Sequence, residues 1–283
     1  MKDNIIVKKN DFLKFGYTLS LMEQRLLLAC IAQVDSRISL DMNKQFEISV
    51  QEIKDLFAPD SKKHLYRDLK EACDRLFERR IVARTSNKIT KLRWVWKVEY
   101  EDNTAIIKIN FSPDVIPYLS DITERFTKYK LGDVKDFKCV HSLRLYELFA
   151  QFQSTGTREL YIDELRQLLD IGDKYLIFSE LKRSVIDKAI NEINKYSNLS
   201  VFYGERKRGR KIIALQFNFT TKNKHISPEI INVVSEDHVK NEQQMLIDEF
   251  ANSRKRFGDA VNESNVPQHI VEILKQSGRW VID

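Results

Sequence analysis

The sequence has little of the residues on which disulfide frameworks, metal sites and phosphate-binding loops depend. Three cysteines occur in 283 residues, at Cys30, Cys73 and Cys139, and no two of them form a CxxC pair. This spacing indicates neither a disulfide framework nor a zinc site, and we expect all three to be buried thiols in a reducing compartment. Only eight glycines are present, and because no GxxxxGKS or GxxxxGKT motif is among them, the sequence argues against an ATPase.

The histidines also lack the pattern of a DNA-nicking enzyme, which needs a His-x-His pair to hold a metal beside a tyrosine nucleophile. The five histidines are His64, His141, His225, His238 and His269. Ten tyrosines supply candidate nucleophiles, but most fall at expected core positions of helices or strands. Carboxylate pairs such as Asp170 with Asp173 have no convergent partner and are better interpreted as loop residues or helix caps. The sequence therefore predicts no catalytic residues, no metal and no cofactor.

Long apolar runs are absent as well. No stretch of about 18 apolar residues exists, and the N-terminus has no apolar segment followed by a small-residue cleavage site. We therefore expect a cytoplasmic protein with no membrane partner. Hydrophobic residues make up 42% and charged residues 31% of the chain, which is typical of a globular protein with room for two cores. The net charge of +6 favours a polyanionic partner only if the basic residues are clustered.

The chain contains an internal repeat, in which residues 50–73 match residues 162–185 at a constant offset of 112. Val50-Gln-Glu-Ile-Lys-Asp-Leu-Phe57 aligns with Ile162-Asp-Glu-Leu-Arg-Gln-Leu-Leu169, with apolar residues matched at every apolar position. Further along, Leu69 matches Leu181. A gap-free match of this length predicts two copies of one supersecondary unit. The alternative is that two ordinary amphipathic helices agree by chance.

Each copy shows the order helix, strand, helix, helix and hairpin, which is that of a winged helix-turn-helix. In the first copy, capping boxes at Ser20–Glu23 and Ser49–Glu52 open two helices, and Ser61 opens a third that runs to about Arg80. Alternation over Leu92–Val98 and Ala105–Phe111 predicts the hairpin. In the second copy the predicted elements are a helix at Ser142–Phe152, a strand at Leu160–Ile162, helices at Asp163–Leu169 and Lys174–Tyr196, and strands at Leu199–Gly204 and Lys211–Phe219.

The predicted fold class is α+β, with two tandem winged helix-turn-helix domains related by a pseudo-repeat and a C-terminal tail with short helices. We expect an N-terminal winged-helix domain at 8–122, a linker at 123–136, a C-terminal winged-helix domain at 137–221 and a polar tail at 222–283. A short helix near Val115–Leu119 would precede the linker. The tail helices are predicted at Met245–Phe250 and Ile270–Leu274, and the sequence assigns them no function.

Basic residues gather on the third helix of the second copy and on the hairpin that follows. Arginine can donate two hydrogen bonds to guanine in the major groove, and a basic hairpin broken by glycine can lie close to phosphates. The predicted DNA-binding residues are Lys62, Lys63, Arg67 and Lys70 in the first copy, and Lys174, Lys182, Arg183, Arg206, Lys207, Arg208, Arg210 and Lys211 in the second. Because Glu71 stands where the second copy has Arg183, we expect the second domain to dominate affinity. The alternative interpretation of the basic hairpin is a run of charged residues that contacts only solvent.

Three segments carry a resemblance to a known family. They are Lys8-Lys-Asn10 with Tyr17-Thr-Leu-Ser-Leu-Met-Glu-Gln-Arg-Leu-Leu-Leu28, then Phe178-Ser-Glu-Leu-Lys-Arg183 with Ala189-Ile-Asn-Glu-Ile-Asn194, and finally Lys207-Arg-Gly-Arg-Lys211. Over roughly residues 8–220 the chain resembles the iteron-binding replication initiators of theta-replicating bacterial plasmids. Glu71 and the long tail depart from the family pattern.

The resemblance implies a plasmid-associated function. Monomers would bind direct repeats in double-stranded DNA at the origin and help to open the adjacent AT-rich duplex. Homodimers, joined through the first domain, would bind the operator and repress the initiator's own gene. The resemblance also implies contacts with a host initiator, the replicative helicase and chaperones. Lys182, Arg183 and the hairpin residues 206–211 would bind the repeat, and Lys62, Lys63 and Arg67 would contact its other part.

A transcriptional repressor with two winged-helix modules is the closest competing function, because it would show the same repeat and the same basic hairpin. Tandem direct repeats beside an AT-rich tract favour an initiator, whereas a single inverted repeat favours a repressor. If the protein dimerises, the sheet face that carries Trp94 and Trp96 is a candidate interface, since large aromatic side chains can anchor one. The same two residues could instead pack on the first domain's own helices.

Overall fold

The structure is a computed structural model, and it describes residues 4–57, 64–85 and 87–222 of the chain. Ser61 and the tail helices predicted at Met245–Phe250 and Ile270–Leu274 lie outside the described residues. The described residues form two compact units, one that comprises those between 4 and 151 together with 166–174, and the other 152–165 together with 175–222. No helix in the described ranges is long and apolar enough to cross a membrane.

The first unit begins with strand β1 (Ile5–Lys9), and its first long helix is α1 (Leu21–Ile31). The predicted capping box at the start of α1 is confirmed: the Glu23 N–H donates to the Ser20 hydroxyl, and the Ser20 N–H donates to the Glu23 carboxylate. The Glu23 carboxylate also accepts hydrogen bonds from Arg75 and Arg79, which tie the start of α1 to the end of α3 (Leu65–Glu78).

A three-stranded antiparallel sheet completes this winged helix. Its strand order is β2-β6-β5, and the strands are β2 (Phe46–Ser49), β5 (Val95–Glu101) and β6 (Ile106–Phe111). Helix α2 (Val50–Phe57) follows β2 directly, and its start is capped by Ser49, whose hydroxyl accepts a hydrogen bond from the Glu52 N–H. The 3-10 helix at Ile116–Tyr118 agrees with the short helix predicted there.

The single strand predicted over Leu92–Val98 is wrong. An additional two-stranded ribbon, β3 (Arg80–Arg84) with β4 (Ile89–Arg93), ends immediately before Trp94, and β5 starts after it. Trp94 is 1% exposed and Trp96 is 44% exposed. Trp94 is therefore buried while Trp96 faces solvent. The reason is that the strand is interrupted at Trp94 and the pairing register shifts between Val95 and Lys97.

The second unit repeats the sheet of the first, with strand order β8-β10-β9. The strands are β8 (Thr157–Tyr161), β9 (Leu199–Arg208) and β10 (Lys211–Thr221), and the helices are α6 (Phe178–Leu181) and α7 (Asp187–Tyr196), joined by a π-helical turn at Lys182–Ile186. Helix α5 (Ile162–Leu169) follows β8 directly and, like α2, has eight residues. The equivalent strand order and the equal lengths of α2 and α5 bear out the internal repeat.

The connection between the repeats is folded. Residues 123–136, predicted as a linker, include strand β7 (Phe126–Lys130), which pairs antiparallel with β1 in the first unit. Helix α4 (Ser142–Ala150), predicted as the first helix of the second domain, also belongs to the first unit. All of its residues except Ala150 are buried, which the pattern of apolar residues alone did not indicate. The boundaries of the functional domains stay a prediction.

The cysteine prediction holds for two of the three residues. Cys30 and Cys73 are buried free thiols on α1 and α3, whereas Cys139 is half-buried. Burial raises the pKa of the Cys73 thiol to about 12. Because the thiolate is the reactive form, this places Cys73 among inert core thiols at neutral pH.

A charged cluster is buried where β1, β7 and α4 meet in the first unit. The Lys8 ammonium lies 2.6 Å from the Glu147 carboxylate, which also accepts hydrogen bonds from the hydroxyls of Tyr129 at 2.7 Å and Tyr17 at 3.2 Å. Burial raises the pKa of Glu147, but the charges of Lys8 and Arg144 outweigh it, so this pKa lies below its ordinary value. The stabilisation is complete above the unfolded-state pKa of about 4.3 and is lost as the pH falls through the folded-state pKa.

Removing the Glu147 charge should leave the Lys8 ammonium buried without its partner. We expect Glu147→Gln to lower the free energy of unfolding by about 3–5 kcal/mol in urea denaturation. The double variant Lys8→Met/Glu147→Gln should lose less stability than the two single variants lose together, by at least about 1 kcal/mol. The exposed Glu124→Gln is the control and should stay within about 0.5 kcal/mol of wild type. Strictly additive losses would contradict the coupling.

Candidate nucleic-acid interface

The hairpin formed by β9 and β10 ends in a basic tip, called here the wing tip (residues 206–211). Its two-residue turn is Gly209–Arg210, and Gly209 has a φ of 62°, which glycine adopts without strain. Strand β8 pairs with β10 only as far as Ala214, so the wing tip extends beyond the three-stranded part of the sheet. All six residues of the wing tip are exposed. The turn thus presents basic side chains to solvent.

The third helix of the second unit starts later than predicted. The sequence predicts it from Lys174, but α6 begins at Phe178, because Gly172 and Tyr175 have φ values of 53° and 55° that no helical residue adopts. Lys174 therefore lies, exposed, in the turn before α6 rather than on the helix. Arg183, predicted to bind DNA, is exposed on the π-helical turn.

Lys182 has a partner within the protein. Its Nζ lies 3.2 Å from the Glu205 carboxylate on β9 and 5.6 Å from the centre of the Tyr203 ring. The side chains of Lys182 and Glu205 are only 21% and 15% exposed. The Tyr203 hydroxyl in turn donates to Asp187 on α7 at 2.5 Å. These contacts join the third helix to the strand that leads into the wing tip. Lys182 therefore has a structural role within the protein, and its contact with DNA stays a prediction.

Arg206, at the base of the wing tip, is also paired. Its guanidinium donates to both oxygens of Glu159 on β8, at 2.6 and 2.8 Å, and the hydrogen bonding raises the pKa of Arg206. The remaining predicted residues of the second unit are exposed and have no acceptor among the residues that the structure describes. They are Arg183, Lys207, Arg208, Arg210 and Lys211. Unpaired cations of this kind can bind phosphate without first breaking an internal ion pair.

The corresponding face of the first unit is neutralised by acidic residues. Lys62 and Lys63 lie outside the described residues. Arg67 lies 3.4 Å from Asp68 and 3.8 Å from Glu71, and the Lys70 ammonium lies 2.9 Å from Asp102 on the β5–β6 hairpin. The hydrogen bond from Lys70 holds the pKa of Asp102 below its ordinary value. The sequence predicted a basic helix here, but it did not show that acids on the helix and hairpin would pair with it.

Sequence reasoning missed a second basic surface in the first unit, the basic ribbon (residues 80–93) formed by β3 and β4. The strand register places Arg80 opposite Arg93 and Val82 opposite Lys91, so these side chains share one face. Arg93 donates to the Phe77 carbonyl oxygen at 2.8 Å and lies 3.3 Å from the Glu78 carboxylate, and Arg84 lies 3.7 Å from the Asp170 carboxylate. The other cations of the ribbon are exposed and have no acceptor in the described part of the chain; they are Arg80, Lys88 and Lys91. The missed signal was that residues 79–93 contain six arginines and lysines and no acid.

Comparison with known protein families gives two matches that together cover most of the chain. Residues 5–150 match the family described as Initiator Replication protein, WH1, and residues 161–219 match Initiator Rep protein, WH2. These matches confirm the pair of winged-helix domains and the α+β class. They also confirm the family resemblance that the sequence motifs indicated.

Individual relatives agree with the family matches. A replication initiation protein of Escherichia coli is 26% identical over 227 residues, covering 77% of this chain and 70% of the relative. The PI protein of Escherichia coli is 26% identical over 237 residues, covering 71% of this chain and 77% of the relative. The crystal structure of the Pi initiator protein in complex with iteron DNA has a TM-score of 0.67 and 25% identity, covering 79% of this chain and 100% of that chain.

Lys182 and Arg183 should behave differently although they are adjacent. We expect Lys182→Ala to lower the free energy of unfolding by about 1 kcal/mol, because Glu205 loses its half-buried partner, and Glu205→Gln should do the same. Arg183→Ala should leave the thermal midpoint unchanged and weaken binding to duplex DNA by about 1–3 kcal/mol. Thermal unfolding and fluorescence anisotropy measure the two effects. Unchanged DNA binding in Arg183→Ala would remove this residue from the interface.

Proposed function

The chain belongs to the initiator replication protein family, and from this premise we propose that it initiates replication of a bacterial plasmid by binding direct repeats, the iterons, at the plasmid origin. The observation that carries the proposal is a set of exposed cations in the second unit that have no acceptor among the described residues; they are Arg183, Lys207, Arg208, Arg210 and Lys211. The complex of the Pi relative with iteron DNA supports the same ligand for this chain.

The chemistry of these groups suits duplex DNA. Arg183 lies on the third helix of a winged helix, the element that enters the major groove, where a guanidinium can donate to guanine O6 and N7. The wing tip would lie along the phosphate backbone, where its basic side chains add affinity without sequence preference. Base recognition and phosphate binding would thus come from adjoining elements of one unit.

In the first unit we propose that the basic ribbon, rather than the α3 face, provides the contact with phosphates. Three exposed cations of the ribbon, Arg80, Lys88 and Lys91, have no internal acceptor among the described residues. On α3, by contrast, Arg67 and Lys70 are paired with acids. Arg93, which lies opposite Arg80, is 3.3 Å from the Glu78 carboxylate, so Arg80, Lys88 and Lys91 are the ribbon cations that a phosphate could bind without displacing an acid. Joining two DNA-binding modules in one chain makes the second contact intramolecular and raises the overall affinity.

We propose the steps after DNA binding because the chain belongs to the initiator family. Monomers seated on tandem repeats would bend the DNA and help to open an adjacent AT-rich tract, which is easily deformed. A host initiator, the replicative helicase and chaperones would then be the protein partners, and homodimers would repress the gene at its operator. No covalent step by a side chain of this chain and no cofactor is needed for these steps, and they would take place in the bacterial cytoplasm.

Footprinting on DNA from around the gene tests the proposed function. With excess random competitor, the protein should protect several evenly spaced direct repeats. If about six to ten phosphates are neutralised, the logarithm of the affinity should fall with the logarithm of the salt concentration at a slope of about −5 to −9. Protection of one inverted repeat at the promoter would instead indicate a repressor. Equal binding to repeat and random DNA would rule out specific recognition.

The proposed phosphate contact of the basic ribbon can be tested separately. Lys88→Gln/Lys91→Gln should reduce the magnitude of the salt slope by about 2 for repeat and random DNA alike, since each lysine bound to phosphate contributes about 1. The control Lys44→Gln/Lys135→Gln removes the same charge from exposed lysines outside the ribbon. Equal slopes for the two double variants would show that the ribbon does not contact phosphate.

A further inference from the structure

Two large apolar side chains are exposed at the start of the third helix in the second unit. Leu176 is 74% exposed and Ile177 is 68% exposed, more than any other large hydrophobic residue that the structure describes. They are adjacent in sequence and immediately precede α6. Exposed apolar residues that are clustered in this way mark a contact surface more often than residues that are scattered singly.

The backbone holds both residues away from the core. Tyr175 has a φ of 55°, which turns the chain just before Leu176, and Ile177 is extended with φ −81° and ψ 128°. The Ile177 carbonyl oxygen accepts hydrogen bonds from the N–H groups of Glu180 and Leu181, so Ile177 caps the first turn of α6. Leu181 and Val185 fill the core side of this helix. The two exposed residues therefore project from the leading end of the helix.

The charges around this end favour a polyanion over an apolar protein surface or a lipid. Arg183 is exposed on the same helix, and the Lys182–Glu205 ion pair places strand β9, which leads into the wing tip, beside it. Two exposed acids, Asp173 and Glu180, lie in the same stretch. Glu180 is compatible with a DNA groove, because a carboxylate can accept a hydrogen bond from the amino group of cytosine.

We infer that Leu176 and Ile177 contact the C5-methyl groups of thymines in the major groove. The thymine methyl is the apolar group that the base edges present in this groove, and the first residues of a recognition helix are those that reach the base edges. The inference rests on the proposed function, and it makes Leu176 and Ile177 determinants of sequence specificity. Arg183 and the wing tip would supply the charge that holds the helix in the groove.

Replacing thymine by uracil removes only this methyl group and so tests the contact directly. The probes are a DNA fragment carrying the gene and its flanks and a scrambled fragment of the same composition, each synthesised with dTTP or with dUTP. For the full-length protein we expect the uracil form of the gene fragment to bind about fourfold more weakly for each methyl group contacted, which corresponds to about 0.8 kcal/mol. Fluorescence anisotropy at fixed salt gives the ratio.

The double variant Leu176→Ala/Ile177→Ala should bind the thymine and uracil fragments equally. Ile38→Ala, which truncates a residue 62% exposed in the first unit, should keep the wild-type ratio. No thymine preference in the wild type, or the same preference in the double variant, overturns the inference. Loss of self-association in the double variant, measured by analytical ultracentrifugation with the uracil ratio unchanged, would show that a second copy covers these residues.

The same four probes separate this inference from the proposed function. Equal binding of the gene fragment and the scrambled fragment would count against an origin-specific initiator. A thymine preference on both fragments that disappears in Leu176→Ala/Ile177→Ala would still support the methyl contact. Preference for the gene fragment without any uracil effect would keep the proposed function and reject the methyl contact.

Discussion

A buried carboxylate fixes the arrangement of the first unit. Glu147 lies on α4, but its oxygens pair with Lys8 on β1 and accept hydrogen bonds from Tyr17 and from Tyr129 on β7. Burying a carboxylate is costly unless other groups compensate its charge, so these three residues must reach it together. Arg144, one turn earlier on α4, donates to the carbonyl oxygens of residues 13 and 15 and fixes the loop that carries Tyr17. An apolar residue at position 147 could fill the space but would accept none of these hydrogen bonds.

The sequence predicted the parts of the fold that depend on interactions between residues close together in the chain. The capping boxes at Ser20 and Ser49 and the eight-residue match of α2 with α5 are short-range signals, and the structure agrees with each of them. The placement of α4 and β7 was not predictable in this way, since it depends on pairing between β1 and β7, which are more than 100 residues apart. The basic ribbon was missed because Trp94 looked like one more residue in an alternating strand.

At the candidate interface, too, only part could be predicted from the sequence. The sequence gives the number of charged residues, but it does not show which of them are paired. Lys70 and Lys182 occupy equivalent positions in the repeat, and both are bound by acids on a hairpin far along the chain, Asp102 and Glu205. The wing tip was predictable because its cations outnumber the nearby acids and its glycine marks the turn. The exposure of Leu176 and Ile177 was not, since it follows from the left-handed backbone at Tyr175.

In the second unit, different residues supply geometry and charge. The Lys182–Glu205 pair and the Tyr203–Asp187 hydrogen bond are half-buried, and they connect the third helix to the strand of the wing before any DNA is bound. Salt screens such contacts much less than it screens the exposed cations of the wing tip. Raising the salt concentration should therefore weaken the attraction to phosphate while the helix and hairpin keep their relative position. Because this position is set in advance, binding costs less ordering of the protein, and the affinity left at high salt reports the base contacts.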